Sequence, residues 1–179
     1  MTGIIGVAVM KFVGRYAAPK ADLSNLPLFT KSMEELAEAI IPETDTPGAK
    51  SAGVSVAVFL LVEHCLSERE QAVFLKGLED LDKHCKAKFG RTFAVCAEKE
   101  RLNTLIELES DANFGGWFIR KVKQRLFGKP FIILAKELTA LCYCRSMQGA
   151  TLALVYDPVP ARYDGCIEME KNQRSWALT

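Results

Sequence analysis

Between Ser67 and Gly90 the chain spells out both ends of a helix and the stripe that buries it. Ser67 and Glu70 stand at capping-box spacing, where each side chain satisfies the other residue's orphan backbone N–H. Phe74, Leu78, Leu81, Cys85 and Phe89 then recur at three- and four-residue steps, and Gly90 sits where a left-handed C-terminal residue belongs. Arg69, Lys76, Asp80, Lys83 and Lys86 occupy the solvated face. A helix from Glu68 to Phe89 is about 33 Å long at 1.5 Å per residue. Its apolar side needs partners along that whole length, so the chain must be helices packed on helices.

The flanking segments supply those partners. Ser32 and Glu35 repeat the capping-box spacing, and Met33, Leu36, Ala37, Ile40 and Ile41 form one helical face. Pro42 ends that helix, because the residue before a proline is pushed out of the α region. Thr44-Asp45-Thr46-Pro47-Gly48 supplies turn residues. A second helix is expected from about Ala52 to Leu66, with Val54, Val58, Leu61, Val62 and Cys65 as one stripe. Val56, Phe59 and Leu60 make its other side apolar too, so it is either central or faces a second surface. Further helices are expected over Glu98–Ala112, with Leu102, Leu105 and Ile106 inward, and over Phe114–Phe127. The last, Pro130–Cys144, uses Phe131, Leu134, Leu138 and Leu141 as its seam. The pattern predicts an all-α, compact bundle of about six helices over residues 31–148.

At both ends the character changes. Residues 1–30 read as a signal remnant and linker: Gly3–Val13 is apolar but interrupted by Lys11, and too short for the roughly 20 residues of a membrane span. A short N-terminal helix packed on the body is the other reading, and the residues leave both open. Residues 149–179 form an extended, Pro/Tyr-rich C-terminal tail in which Pro158 and Pro160 exclude a central strand. Tyr156, Pro158, Pro160, Tyr163, Asp164 and Trp176 are the candidate partner interface. Large and rigid residues in so irregular a stretch must cover the helices or another protein.

Candidate chemistry is sparse. The chain carries 23 basic and 22 acidic residues, net +1, which gives no field to draw in nucleic acid. His64 and His84 each adjoin a cysteine but lie in no metal-ligand spacing. No Gly-x-Gly-x-x-Gly follows a strand, no Gly-x-Ser-x-Gly elbow appears, and no Cys-x-x-Cys-His is present. Glu34-Glu35 and Glu43 with Asp45 read as solvated carboxylates. Cys142 and Cys144, two apart on a helix, point to different faces. Cys85 and Cys96 flank one helix end and are the candidate disulfide, whereas Cys65 and Cys96 are held apart by the helix between them. Arg120-Lys121-Val122-Lys123-Gln124-Arg125, with Lys129 beyond, reads as a solvated face or as a contact for an acidic partner or lipid headgroups, with Trp117 and Phe118 beside it. No cofactor or metal is expected in this chain.

Three stretches together resemble the gluconate 2-dehydrogenase subunit 3 family. They are Ile40 to Val54 (IIPETDTPGAKSAGV), Phe74–Leu78 through Phe89–Phe93, and Gly149–Thr151 with Tyr156–Cys166 and Gln173–Ala177. The resemblance spans about Ser32 to Leu178. Where the family usually has Gly-Tyr-Phe-Thr-Ser-Glu, this chain reads Cys142-Tyr143-Cys144-Arg145-Ser146-Met147, and it carries no complete twin-arginine signal. The resemblance implies a non-catalytic small subunit of an exported, periplasmic flavin-dependent sugar or sugar-acid dehydrogenase complex. It would assist folding, stability or co-export of the large subunit, which carries FAD, and a cytochrome c subunit or an equivalent acceptor would take the electrons. Membrane contact would be peripheral or through the complex. The rival readings are a stand-alone helical binding module and a thiol-redox protein, for which Cys144 beside Arg145 is the one candidate nucleophile.

Overall fold

A computed structural model of the chain describes residues 21–113, 128–157, 159, 165–166 and 168–177. The architecture is all-α, with helices α1 (Thr30–Ile40), α2 (Val54–Cys65), α3 (Glu68–Phe89), α4 (Glu98–Ala112) and α5 (Phe131–Arg145) among the described residues. Of the stretch 1–30 read as signal remnant and linker, residues 1–20 lie outside the described residues, as does the helix expected over Phe114–Phe127.

Helix α3 forms as its sequence dictates. Ser67 Oγ accepts from Glu70 N–H, the Glu70 carboxylate accepts from Ser67 N–H at 3.1 Å, and Gly90 closes the other end at φ 73°. Phe74, Leu78, Leu81 and Cys85 are buried along its inner face. Helix α5 is the hub, packed against α1, α2, α3 and α4. It can lie this close to α3 because residue 77 is glycine: a Cβ there would stand 2.1 Å from Phe131 Cγ. The Phe131 ring instead meets Phe74 edge-on, with centroids 5.6 Å apart. A glycine inside a helix costs about 1 kcal/mol relative to alanine, and here the close approach of two helices offsets it.

Three expectations are corrected. Ser32 is not an N-cap. A 3₁₀ turn, Leu23–Phe29, capped by Asp22 accepting from Ser24 N–H, runs directly into α1, so the helix begins two residues earlier. Ser32 is therefore buried in the first turn and donates to Asp82 Oδ1 on α3 at 3.0 Å. In α4, Leu105 points inward as expected, but Leu102 and Ile106 are about half exposed. The helix is turned so that Thr104 and Leu105 are buried. Arg101 fixes that rotation by pairing with Glu35 on α1 and donating to the Cys96 carbonyl. Leu141, expected in the seam of α5, is likewise exposed, and Cys142 and Tyr143 are buried in its place.

Candidate functional site

The loop from Ile41 to Gly53 carries the most distinctive stretch of sequence, and its groups are spent on holding the fold. The Glu38 carboxylate accepts from the backbone N–H of Glu43 at 2.8 Å and of Lys50 at 2.9 Å. Gly48 fills the space beneath this clamp, where a Cβ would lie 2.5 Å from both Glu38 carboxylate oxygens. Buried Tyr143, on α5, donates its hydroxyl to the Pro47 carbonyl at 2.5 Å. Glu35 binds Lys50 and Arg101. Partial burial pushes its carboxyl up, but the hydrogen bond from Lys50 and the two cations outweigh that and hold it below the usual value. A carboxylate held ionised in this way is poorly suited to general-acid work.

The thiols divide by burial. Cys65, Cys144 and Cys166 are exposed, while Cys85, Cys96 and Cys142 are buried. Cys142 and Cys144 thus face different ways, as their spacing requires. Burial pushes the Cys142 thiol up. Burial, with Cys96 hydrogen-bonded beside it, pushes Cys85 up to about 11. Both shifts run away from the thiolate that redox catalysis needs. His64 is exposed at the end of α2, and His84 lies 3.5 Å from Glu107 on the surface. Among the described residues no group of three His, Cys, Asp or Glu side chains is placed to hold a metal ion.

What the surface does offer is apolar. The outer side of α2 leaves Val56 and Leu60 exposed, Leu60 at 53%. Between α2 and α5 runs a groove of about 320 Å³, lined by Ala57, Leu60, Leu61, Leu141 and Cys142 with Arg145 at its rim. Beyond α5, a single turn of π-helix (Gly149–Ala153) packs on that helix, and Met147 and Leu152 project outward on either side of Gly149. Gly149 lies so close to the end of α5 that a Cβ would stand 1.9 Å from the Tyr143 carbonyl oxygen.

The tail then departs and returns. Val155 N–H donates to the Ser175 carbonyl at 2.9 Å and Ala177 N–H to the Val155 carbonyl at 2.8 Å, a parallel bridge between Val155 and Trp176. Arg174 adds a bond to the Leu152 carbonyl at 2.7 Å. A tight turn with Asn172 at φ 67° reverses the chain, and the Gln173 side chain accepts from Glu170 N–H. Of the six interface residues expected from sequence, Trp176 falls on this bridge and Tyr156 directly follows its other member, and each is about half exposed. Pro158, Pro160, Tyr163 and Asp164 lie outside the described residues. Sequence reading did not single out Leu141, Met147 and Leu152 as exposed, and it named Leu60 only as part of an apolar second side of α2.

A second apolar spot, Leu102 on α4 beside Ala39 and Pro42, is rimmed by Glu38, Glu43 and Glu98. Lys129, the end of the basic stretch, pairs with Glu137 at 2.5 Å, and Arg120–Arg125 lies outside the described residues. Among the described residues no helix is long and apolar enough to cross a membrane. The family model for gluconate 2-dehydrogenase subunit 3 matches residues 30–161, stopping short of the Gln173–Ala177 stretch. No curated protein and no solved structure matches the chain.

Proposed function

Because the chain belongs to the gluconate 2-dehydrogenase subunit 3 family, we propose that it is a non-catalytic accessory subunit of an exported, periplasmic sugar or sugar-acid dehydrogenase. In this reading FAD and the oxidation chemistry lie in a large partner subunit, and a cytochrome c subunit or an equivalent acceptor takes the electrons. The small subunit sustains folding, stability or co-export of the large one by covering an apolar surface on it.

The observation that carries this reading is the apolar groove between α2 and α5, where Leu60 and Leu141 stand exposed, with Val56, Met147, Leu152, Tyr156 and Trp176 also exposed on α2 and on the segment that follows α5. Left in water, clustered side chains of this size are a liability, whereas on an interface they supply its binding energy. An aliphatic groove of this kind, together with exposed aromatic residues, suits a large, lasting contact better than a passing one.

The test is co-expression. A large flavoprotein from the same complex, expressed with and without this chain, should be recovered soluble and flavin-loaded only with it. The purified small subunit alone should show no flavin or haem absorbance and no sugar-dependent dye reduction. Full recovery of active large subunit without this chain would contradict the accessory role.

A further inference from the structure

Cys85 and Cys96 are the one pair of core thiols that the fold brings side by side. Cys85 sits on the inner face of the last turns of α3, and Cys96 follows the short 3₁₀ turn Phe93–Val95 that leads into α4. Both are buried, at 0% and 1% exposure. The position of Cys96 is fixed from three directions. Phe93 N–H donates to Asp82 Oδ1 at 3.1 Å, Cys96 N–H donates to the Phe93 carbonyl at 3.2 Å, and Cys96 Sγ reaches the Thr92 carbonyl at 3.4 Å. Cys85 lies one turn beyond Asp82 on α3 and in the same buried cluster as Cys96, and burial together with that neighbouring thiol pushes it up. The other three described thiols on the surface have no such neighbour in the core.

Both are free thiols in the structure; we infer that they close into an intramolecular disulfide when the chain folds in the presence of a disulfide donor, pinning the end of α3 to the start of α4. In that step each thiol loses its hydrogen, a Sγ–Sγ bond forms, and the two electrons and two protons reduce the donor's disulfide to two thiols. Both sulfurs are sealed inside the folded core, so exchange takes place during folding and not on the finished surface. Cross-linking removes loop entropy from the unfolded chain, more than it constrains the native one. The bridge lies away from the α2–α5 groove, so it stands or falls independently of the accessory-subunit reading.

The test uses the full chain with the exposed cysteines removed (Cys65→Ser, Cys144→Ser and Cys166→Ser). It is refolded in mixed reduced and oxidised glutathione, quenched in acid, denatured and alkylated. Trypsin cuts after Lys86, Lys88 and Arg91, so the two cysteines fall on separate peptides joined only by the bridge. The expected result is an unalkylated 85–96 linked pair, with a Tm about 6–12 °C above that of the same protein kept reduced. Alkylation of both cysteines, glutathione or Cys142 on either of them, or equal Tm values for the two forms would overturn the inference.

Discussion

The loop joining α1 to α2 and the loop closed by Val155 and Trp176 are both built from turn residues, yet they are held in opposite ways. In the first, a glutamate clamp, a lysine–glutamate pair and a buried tyrosine hydroxyl tie the loop to α1 and α5. In the second, the hydrogen bonds of the described residues run within the tail or to the adjoining π-turn, while Tyr156 and Trp176 stand half exposed. Similar composition therefore gives a scaffold where side chains reach the core, and a presented surface where they do not. The difference lies in which polar partners sit within reach, something turn propensity alone does not encode.

The strongest way to break this contrast is to remove the second loop altogether. Truncation before Tyr156 should leave the helical body folded by circular dichroism, with a Tm within a few degrees of the full chain, and abolish co-purification of the large subunit. A body that melts far earlier would make the tail structural and cancel the distinction. The opposite perturbation is Gly48→Ala, which drives a methyl into the Glu38 clamp. It should cost about 3 kcal/mol in urea unfolding, the scale of a strained core with two hydrogen bonds disturbed. An unchanged midpoint would show that the clamp does not hold the loop.

A milder change sharpens the same point. Glu38→Gln keeps the shape but loses the charge on an acceptor of two backbone N–H groups, and should cost about 1–2 kcal/mol. The smallest effect is in acid. The Glu35 carboxyl lies below its ordinary value of 4.5 when folded, so its contribution to stability is complete above that value. It is lost as pH falls through the lower, folded value. Urea midpoints of Glu35→Gln should accordingly fall less steeply between neutral pH and pH 3 than those of the wild type. Parallel curves would mean that the Lys50 and Arg101 pairings contribute nothing.

Legibility in the sequence followed local completeness. Helix α3 was readable to its ends because Ser67, Glu70 and Gly90 carry their signals within one turn of each terminus. The same spacing at Ser32 and Glu35 misled, because the bond that matters for Ser32 goes to Asp82, fifty residues away. Leu102 and Ile106 misled for a related reason: periodicity marks an apolar face, but Arg101 reaching Glu35 decides which side of α4 turns inward. Trp176, one of the expected interface residues, pairs with Val155 next to Tyr156, a long-range bridge that no local pattern announces. The groove between α2 and α5 needed both helices in place before Leu60 and Leu141 could be seen to share it.

Two leucines of nearly equal exposure allow the most direct measurement. Leu60 borders the apolar groove, and Leu102 stands among carboxylates on α4. Each is changed singly to glutamate (L60E and L102E) in the full chain, co-expressed with the large subunit, and the complex is quantified after affinity capture. Neither change buries a new charge in the core, so both variants should fold with near-wild-type circular dichroism. If the large subunit sits on the α2–α5 face, L60E lowers its recovery by at least about tenfold, the cost of one disrupted anchor residue, while L102E leaves it within about twofold. Equal recovery for the two variants, or a larger loss with L102E, would place the partner elsewhere and contradict the assignment.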